Sequence, residues 1–361
     1  MRNRYGYGSY RGRGGAQAFL KGLAIVLAVV LVLLVAGYFF LQQFAVVTDS
    51  GIRYDIPFLR GKTPVSTPSP PLVVETPPVV TVSPTPEPEP VEEPLHAVGL
   101  PRTALYDGTA QSQVEAAGGN AALFDMKADD GTLGYLSELQ LAKDLRASDS
   151  NPAINAAIQA LTGSELYTVA RVSCFKDNTA PYQDNSLAIK TNSGYNWRGP
   201  DDLRWTSPAN ETVRTYLADI CVELARLGFD EIVLDNAGYP TQGHLDYIKS
   251  GPAYDKAQLS TVVDGFYRQV KEALAPYPEV KLSIRTTETA LDGSDLLSGQ
   301  TAASLAASAG RIWVAPAAKE ETDYAALLTA AGWEDTGVSL VLTGETSGSA
   351  DAETSWAALS P

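Results

Sequence analysis

The stretch "LGFDEIVLDNAGYP", residues 227–240, decides the fold. A helix-like segment ends at Leu227 and Gly228. An apolar run, Ile232-Val233-Leu234, follows, bracketed by Glu231 and Asp235. The chain then turns at Gly238 and Pro240. A continuous apolar run closed by a carboxylate and a turn is how a strand buried on both faces of a parallel sheet reads. In a barrel of such strands the carboxyl-terminal rim carries the chemistry, so Asp235 is the first candidate residue. The competing reading is a carboxylate that only caps the following loop.

Six more runs share this character: 97–105, 121–127, 166–175, 280–286, 311–317 and 338–344. Helical spacing lies between them. In the segment before Gly228, Val213, Leu217, Ile220, Leu224 and Leu227 recur at three- and four-residue steps and form one apolar face. Strand–helix alternation over residues 95–361 predicts an α/β fold, a TIM-like (β/α)8 barrel. Seven strands are legible, so the barrel is either one strand short or has an eighth of weak signal. A doubly wound open sheet is the alternative, but no glycine-rich dinucleotide loop follows the first strand.

The N-terminal quarter reads differently. Residues 1–21 are basic and rich in glycine and tyrosine, a pattern expected of a disordered cytoplasmic tail. Residues 22–41, "GLAIVLAVVLVLLVAGYFFL", carry no charge. About 20 such residues span the roughly 30 Å hydrocarbon core of a bilayer. The run is longer than a signal-peptide core and ends in bulky aromatics, which favours an uncleaved anchor over a cleaved signal. Residues 42–94 are a juxtamembrane segment and a proline-rich stalk, at about 3.1 Å per residue where extended. The expectation is a single-pass protein of the cell membrane, tail inside and barrel outside. The 361 residues carry a formal net charge of −15, which argues against a nucleic-acid partner. Cys174 and Cys221 exclude a disulfide-dense scaffold and could pair only if the fold joins them. His96 and His244 are isolated, and no metal or other cofactor is expected.

The strand ends supply the other candidates. Asp125 and Lys127, two residues apart on strand two, would point the same way as an interior ion pair or as sugar ligands. Asp129 and Asp130 precede Gly131 and suit a turn. Arg171 could bridge to Asp125 or Asp235. Lys176 and Asp177 end strand three, Arg285 and Glu288 end strand five, and Glu231 sits at a strand entrance in a structural role. Two carboxyl groups at one barrel mouth suit glycoside hydrolysis, one protonating the leaving oxygen while the other attacks or stabilises the sugar centre. Tyr195, Trp197, Trp205 and Tyr239 could stack on sugar rings or pack in the core.

Several phrases carry a family resemblance. Residues 125–131 (DMKADDG), 170–177 (ARVSCFKD), 205–208 (WTSP) and 228–240 (GFDEIVLDNAGYP) together resemble a bacterial family assigned to the glycoside hydrolases. That family was long catalogued as a domain of unknown function and is distantly similar to α-amylase-type barrels. The resemblance implies a polysaccharide or cell-wall glycan as partner. It maps the nucleophile onto Asp235 and, by analogy with the amylase scheme, the acid/base onto Glu288. Asp125, Lys127, Arg171, Lys176, Asn236, Trp205 and Tyr239 are then the sugar-binding candidates. Residues 236–239 depart from the family's pattern, which has an aromatic and an arginine there, so a positive charge near the nucleophile is expected to be lost. That departure supports a second reading, a catalytically inactive barrel that binds glycans or tethers the cell wall.

Overall fold

The computed structural model describes residues 45–48, 51–54, 93–315, 324–333, 337–344 and 354–359. The expected tail, membrane helix and proline-rich stalk lie outside these residues, apart from a two-stranded antiparallel ribbon, Ala45–Thr48 with Gly51–Tyr54. No helix among the described residues is long and apolar enough to cross a membrane.

The second compact unit is a closed barrel of eight parallel strands in sequential order. They are β1 (His96–Leu100), β2 (Ala121–Lys127), β3 (Tyr167–Ser173), β4 (Glu231–Asp235), β5 (Lys281–Thr287), β6 (Arg311–Ala315), β7 (Ser339–Gly344) and β8 (Trp356–Ala358). Each of the seven runs read from sequence overlaps one of the first seven and covers all but at most one of its residues. The eighth strand was missed because it is only three residues long, too short for any periodicity. It pairs with both β1 and β7, so the barrel is complete rather than one strand short. An open doubly wound sheet is ruled out by that closure.

Helices α1 (Ala110–Ala116), α2 (Ile154–Thr162), α3 (Glu211–Arg226), α4 (Leu259–Leu274), α5 (Ala302–Ser308) and α6 (Tyr324–Ala331) fall between successive strands from β1 to β7. Sequence dictates the limits of α3. The Asn210 side chain accepts from the Val213 N–H at its start, with Glu211 in the first turn and Arg226 in the last, each placed to complement the helix dipole. Gly228, at φ +93°, ends it, and a Cβ there would lie 2.7 Å from Thr162 Oγ1. All five residues of the expected apolar stripe are buried, and Cys221 joins them. Cys174 and Cys221 are both buried and unpaired.

Period-two alternation divides each strand between two cores. Ala97, Leu123, Val169, Val233, Trp313 and Val341 fill the barrel interior. Their neighbours Phe124, Val172, Ile232, Leu234, Ile284 and Ile312 belong to the larger cluster shared with the helices. Glu231 and Asp235, four residues apart with Val233 midway, therefore share the interior face at opposite ends of β4. Glu231 is fully buried at the amino-terminal end. Its carboxylate accepts from Ser283 Oγ at 2.6 Å, Trp313 Nε1 at 2.8 Å and Tyr167 Oη at 3.1 Å, and pairs with Arg311. This is a buried charge whose lone pairs are met from β3, β5 and β6, and it closes the base of the barrel. Glu231→Ala should lower stability by about 3–5 kcal/mol in denaturant unfolding, because it removes a buried carboxylate from its ion pair with Arg311 and from three side-chain donors. Unchanged stability would show that the base needs no such plug.

Candidate active site

Asp235 ends β4 with 4% of its surface exposed. Its Oδ2 accepts from Arg171 Nε at 2.7 Å and from Arg285 Nη1 at 2.9 Å. Its Oδ1 accepts from the Asn236 backbone N–H at 2.7 Å. Burial works to raise the pKa of this carboxyl, but the Arg171 and Arg285 guanidiniums outweigh it and hold the group well below the usual carboxylate range. Asp235 is thus held as the carboxylate, a form that can act as a base or nucleophile but not as a proton donor. The positive charge expected to be lost with residues 236–239 is supplied instead by β3 and β5.

Arg171 is the hub. Sequence left open whether it meets Asp125 or Asp235; it meets both, and Asp129 as well. Nη1 binds Asp125 Oδ1 at 2.7 Å and Nη2 binds Asp129 Oδ1 at 2.8 Å. Asp129 passes the chain of charges on through Oδ2 to Lys176 Nζ at 2.8 Å, and Lys176 reaches Asp201 Oδ2 at 2.5 Å. Burial works to lower the Lys176 pKa, but Asp129 and Asp201 more than offset it, so the ammonium is reinforced. Asp129 and Asp130 are the two central residues of the expected turn, closed by the Gly131 N–H donating to the Ala128 carbonyl at 2.9 Å, and Asp130 Oδ1 also accepts from the Thr132 N–H and Oγ1.

Asp125 and Lys127 do not share a face. The register of β2 against β3 slips between them, so Asp125 turns to the mouth while Lys127 is drawn inside. Lys127 is fully buried, bound to Asp177 Oδ2 at 2.8 Å and to the Ser173 carbonyl at 2.7 Å. Neither an Asp125–Lys127 pair nor an approach of Lys127 to a ligand survives this placement. Gly131 makes room for Asp177: at φ +89°, a Cβ there would lie 2.2 Å from Asp177 Oδ1.

A cavity of about 390 Å³ opens over β4 and β5. Asp235, Asn236, Tyr239, Lys176, Trp205 and Arg285 all line it. Asn236 sits at φ +46°, a left-handed position that asparagine tolerates. Its Nδ2 donates to Ser173 Oγ at 2.9 Å and Asp129 Oδ1 at 3.2 Å, which binds it into the charge network. Tyr239 is buried edge-on against Tyr254, with ring centroids 5.5 Å apart. Trp197 is buried and donates to the His244 carbonyl, and Tyr195 is exposed away from this cavity. Trp205 is the half-buried aromatic on the wall.

Glu288 opens the short helix Glu288–Leu291 that follows β5. It is half-buried and does not line the cavity, although Thr287 before it does. Two other carboxylates do line it, Asp201 and Asp295. Asp295 Oδ1 accepts from the Leu297 and Ser298 N–H groups. Sequence reasoning missed Asp201 and Asp295 as site residues, and placed Arg285 at the end of strand five without giving it a role. Arg285 had a signal, since it alternates with Ser283 and Thr287 on β5. The two aspartates sit on loops with no periodicity to betray them. Among the described residues no cluster of histidine, cysteine and carboxylate side chains could hold a metal.

The chain belongs to the DUF4015 family, described as "Putative glycosyl hydrolase domain", which matches residues 110–315. No curated protein matches it by sequence. Among solved structures it is similar to a hypothetical protein from Ruminiclostridium thermocellum, with 26% identity, 52% of this chain and 96% of that one covered, and a TM-score of 0.45. A GH20 exo-β-N-acetylglucosaminidase from Vibrio harveyi has 11% identity, coverage of 70% and 41%, and a TM-score of 0.43. An α-galactosidase from Lactobacillus brevis has 14% identity, coverage of 74% and 37%, and a TM-score of 0.44. The chain spans about two fifths of the length of those two glycosidases.

The depressed pKa of Asp235 makes a stability prediction with a fixed sign. The ionised form is favoured on folding, so its contribution is complete above the unfolded aspartate value near 3.9 and fades as pH falls toward the lower folded value. Asp235→Asn should cost about 3–5 kcal/mol at neutral pH, since Arg285 loses its carboxylate and Arg171 loses one of its three. The gap to the unmodified protein should narrow below about pH 4. A gap independent of pH in denaturant titrations would contradict the ionised assignment.

Proposed function

We propose that this protein is a membrane-anchored, extracytoplasmic glycoside hydrolase acting on a polysaccharide through two carboxyl groups. The observation that carries the reading is Asp235, held ionised by two arginines at the edge of a cavity on the carboxyl-terminal rim of a barrel whose family is described as glycosyl hydrolase. Asp235 is the nucleophile or the stabiliser of the oxocarbenium-like centre. Arg171 and Arg285 position it and keep it anionic, and Trp205 offers an apolar wall to a sugar ring.

The proton donor has to be a second carboxyl group that is not locked into ion pairs. Asp201 is committed to Lys176, and Asp295 holds its own loop. The Glu288 side chain has no hydrogen-bonding or ionic partner among the described residues and stands one residue from the cavity wall. Glu288 is therefore the general acid/base of this reading. The anchor at residues 22–41 and the stalk at 42–94 would hold the barrel off the outer membrane face, where cell-wall glycan or an external polysaccharide is the partner.

The test is hydrolysis by the full chain in detergent on α-glucans, wall polysaccharide and peptidoglycan. Glu288→Gln should lower kcat by roughly 10²–10⁴-fold on natural substrates and much less on aryl glycosides with good leaving groups, the pattern of a lost general acid. The same pattern in Asp295→Asn, with Glu288→Gln fully active, would move the acid to Asp295. Asp235→Asn should abolish turnover on every substrate. Glycan binding that survives all three substitutions, with no turnover by the unmodified protein, would replace the enzyme with a binding barrel.

A further inference from the structure

The barrel mouth holds a second cavity. It measures about 630 Å³ and lies over β1, β2 and β3, lined by Arg102, Asp125, Asp129, Asp130, Arg171 and Leu203 among others. Both cavities fall in the range of roughly 300–1,000 Å³ that accommodates small-molecule ligands. They share a wall. Arg171 lines the second cavity and its bonded partner Asp235 lines the first; Asp129 lines the second and its partner Lys176 lines the first. The ion-paired ridge that holds the candidate nucleophile is therefore also the partition between two lobes.

The chemistry of the second lobe is one-sided. Its cations are spent on protein oxygens. Arg102 donates from Nε to the Asp125 carbonyl and from Nη2 to the Thr132 carbonyl, at 2.9 and 3.0 Å, and Nη1 faces Thr132 Oγ1 and the Leu133 carbonyl. All three Arg171 nitrogens are on carboxylates. The acceptors are not spent. Asp125 uses only Oδ1, on Arg171, and its side chain is 49% exposed. Asp130 uses only Oδ1, on Thr132. Each leaves Oδ2 without a partner among the described residues. Three carboxylates against two guanidiniums give this lining a formal charge of −1. Leu123, Leu203 and Leu359 add apolar surface beside these acceptors.

We propose that the second lobe is a sugar subsite, so that the mouth binds a glycan chain laid across the Arg171–Asp235 ridge rather than a single terminal sugar. Its unit in this lobe is hydrogen-bond-donating and not anionic: hydroxyl or amine donors meet Asp125 and Asp130, whereas a uronate carboxylate meets negative charge with no free cation. This rests on the glycan reading above and deepens it, by giving the substrate length and excluding acidic polysaccharides from the second lobe.

The experiment is titration of the full-length protein, followed by tryptophan fluorescence, with malto-, cello- and chito-oligosaccharides of two and six units, and with the same six-unit ligands oxidised to the uronate at C6. The readout is the ratio of six-unit to two-unit affinity. In at least one neutral series the ratio should exceed about tenfold. It should collapse in Leu203→Trp, which fills the lobe, and fall in Asp130→Asn, an exposed change that preserves the turn but removes the charge. The oxidised six-unit ligand should gain nothing over two neutral units. A ratio near one, a ratio untouched by both variants, or an equal gain for the uronate would overturn the second subsite while leaving the glycan reading in place. No binding of any ligand would overturn the glycan reading itself, and the subsite with it.

Discussion

One guanidinium organises the mouth of this barrel. Arg171 places Nε, Nη1 and Nη2 on the carboxylates of Asp235, Asp125 and Asp129, which arrive from β4, from β2 and from the loop after β2. Three carboxylates that close would repel one another and favour protonation. A planar cation with donors on fixed directions lets all three stay ionised together, which a lysine point charge would not do. Arg285 supplies a second cation on Asp235, and Lys176 extends the array to Asp201.

The array depends on layers beneath it. Alternation along the strands places Arg171 above Val169, Asp235 above Val233 and Arg285 above Ser283, all facing inward. The apolar layer of Val169, Val233, Trp313 and Val341 separates this charged upper layer from the Glu231 plug at the base. The carboxylate that closes the barrel and the carboxylate proposed to do chemistry thus come from one five-residue strand. Their environments differ. Glu231 is met on all sides by donors from neighbouring strands, while Asp235 opens onto a cavity.

The fold was largely legible because its signals are local. Continuous apolar runs marked seven strands, and helical spacing marked α3 in detail. The eighth strand was illegible because Trp356–Ala358 is recognised only by the two neighbours it hydrogen-bonds. At the site, Asp235 and Arg171 could be found from their places at strand ends. The pairing of Asp125 with Lys127 could not be judged from spacing, since a one-residue slip in β2 inverts a period-two argument. Asp129 and Asp130 do form the turn read from sequence, but spacing could not show that Asp129 also joins the charges, because its partners Arg171 and Lys176 come from the neighbouring strand and the loop after it. The compensation of residues 236–239 by Arg285 is a contact between strands and has no trace within either segment.

The account turns on Asp235 being anionic beside its two arginines under conditions in which an ordinary aspartate titrates. The most direct measurement is an infrared difference titration of the carboxyl bands, with Asp235→Asn subtracted from the unmodified protein. The account predicts that the Asp235 signal remains that of a carboxylate through the ordinary aspartate range near pH 4 and protonates only well below it. Protonation at or above pH 4 would contradict it, because the carboxyl would then be a proton donor and the roles assigned around the ridge would have to be exchanged.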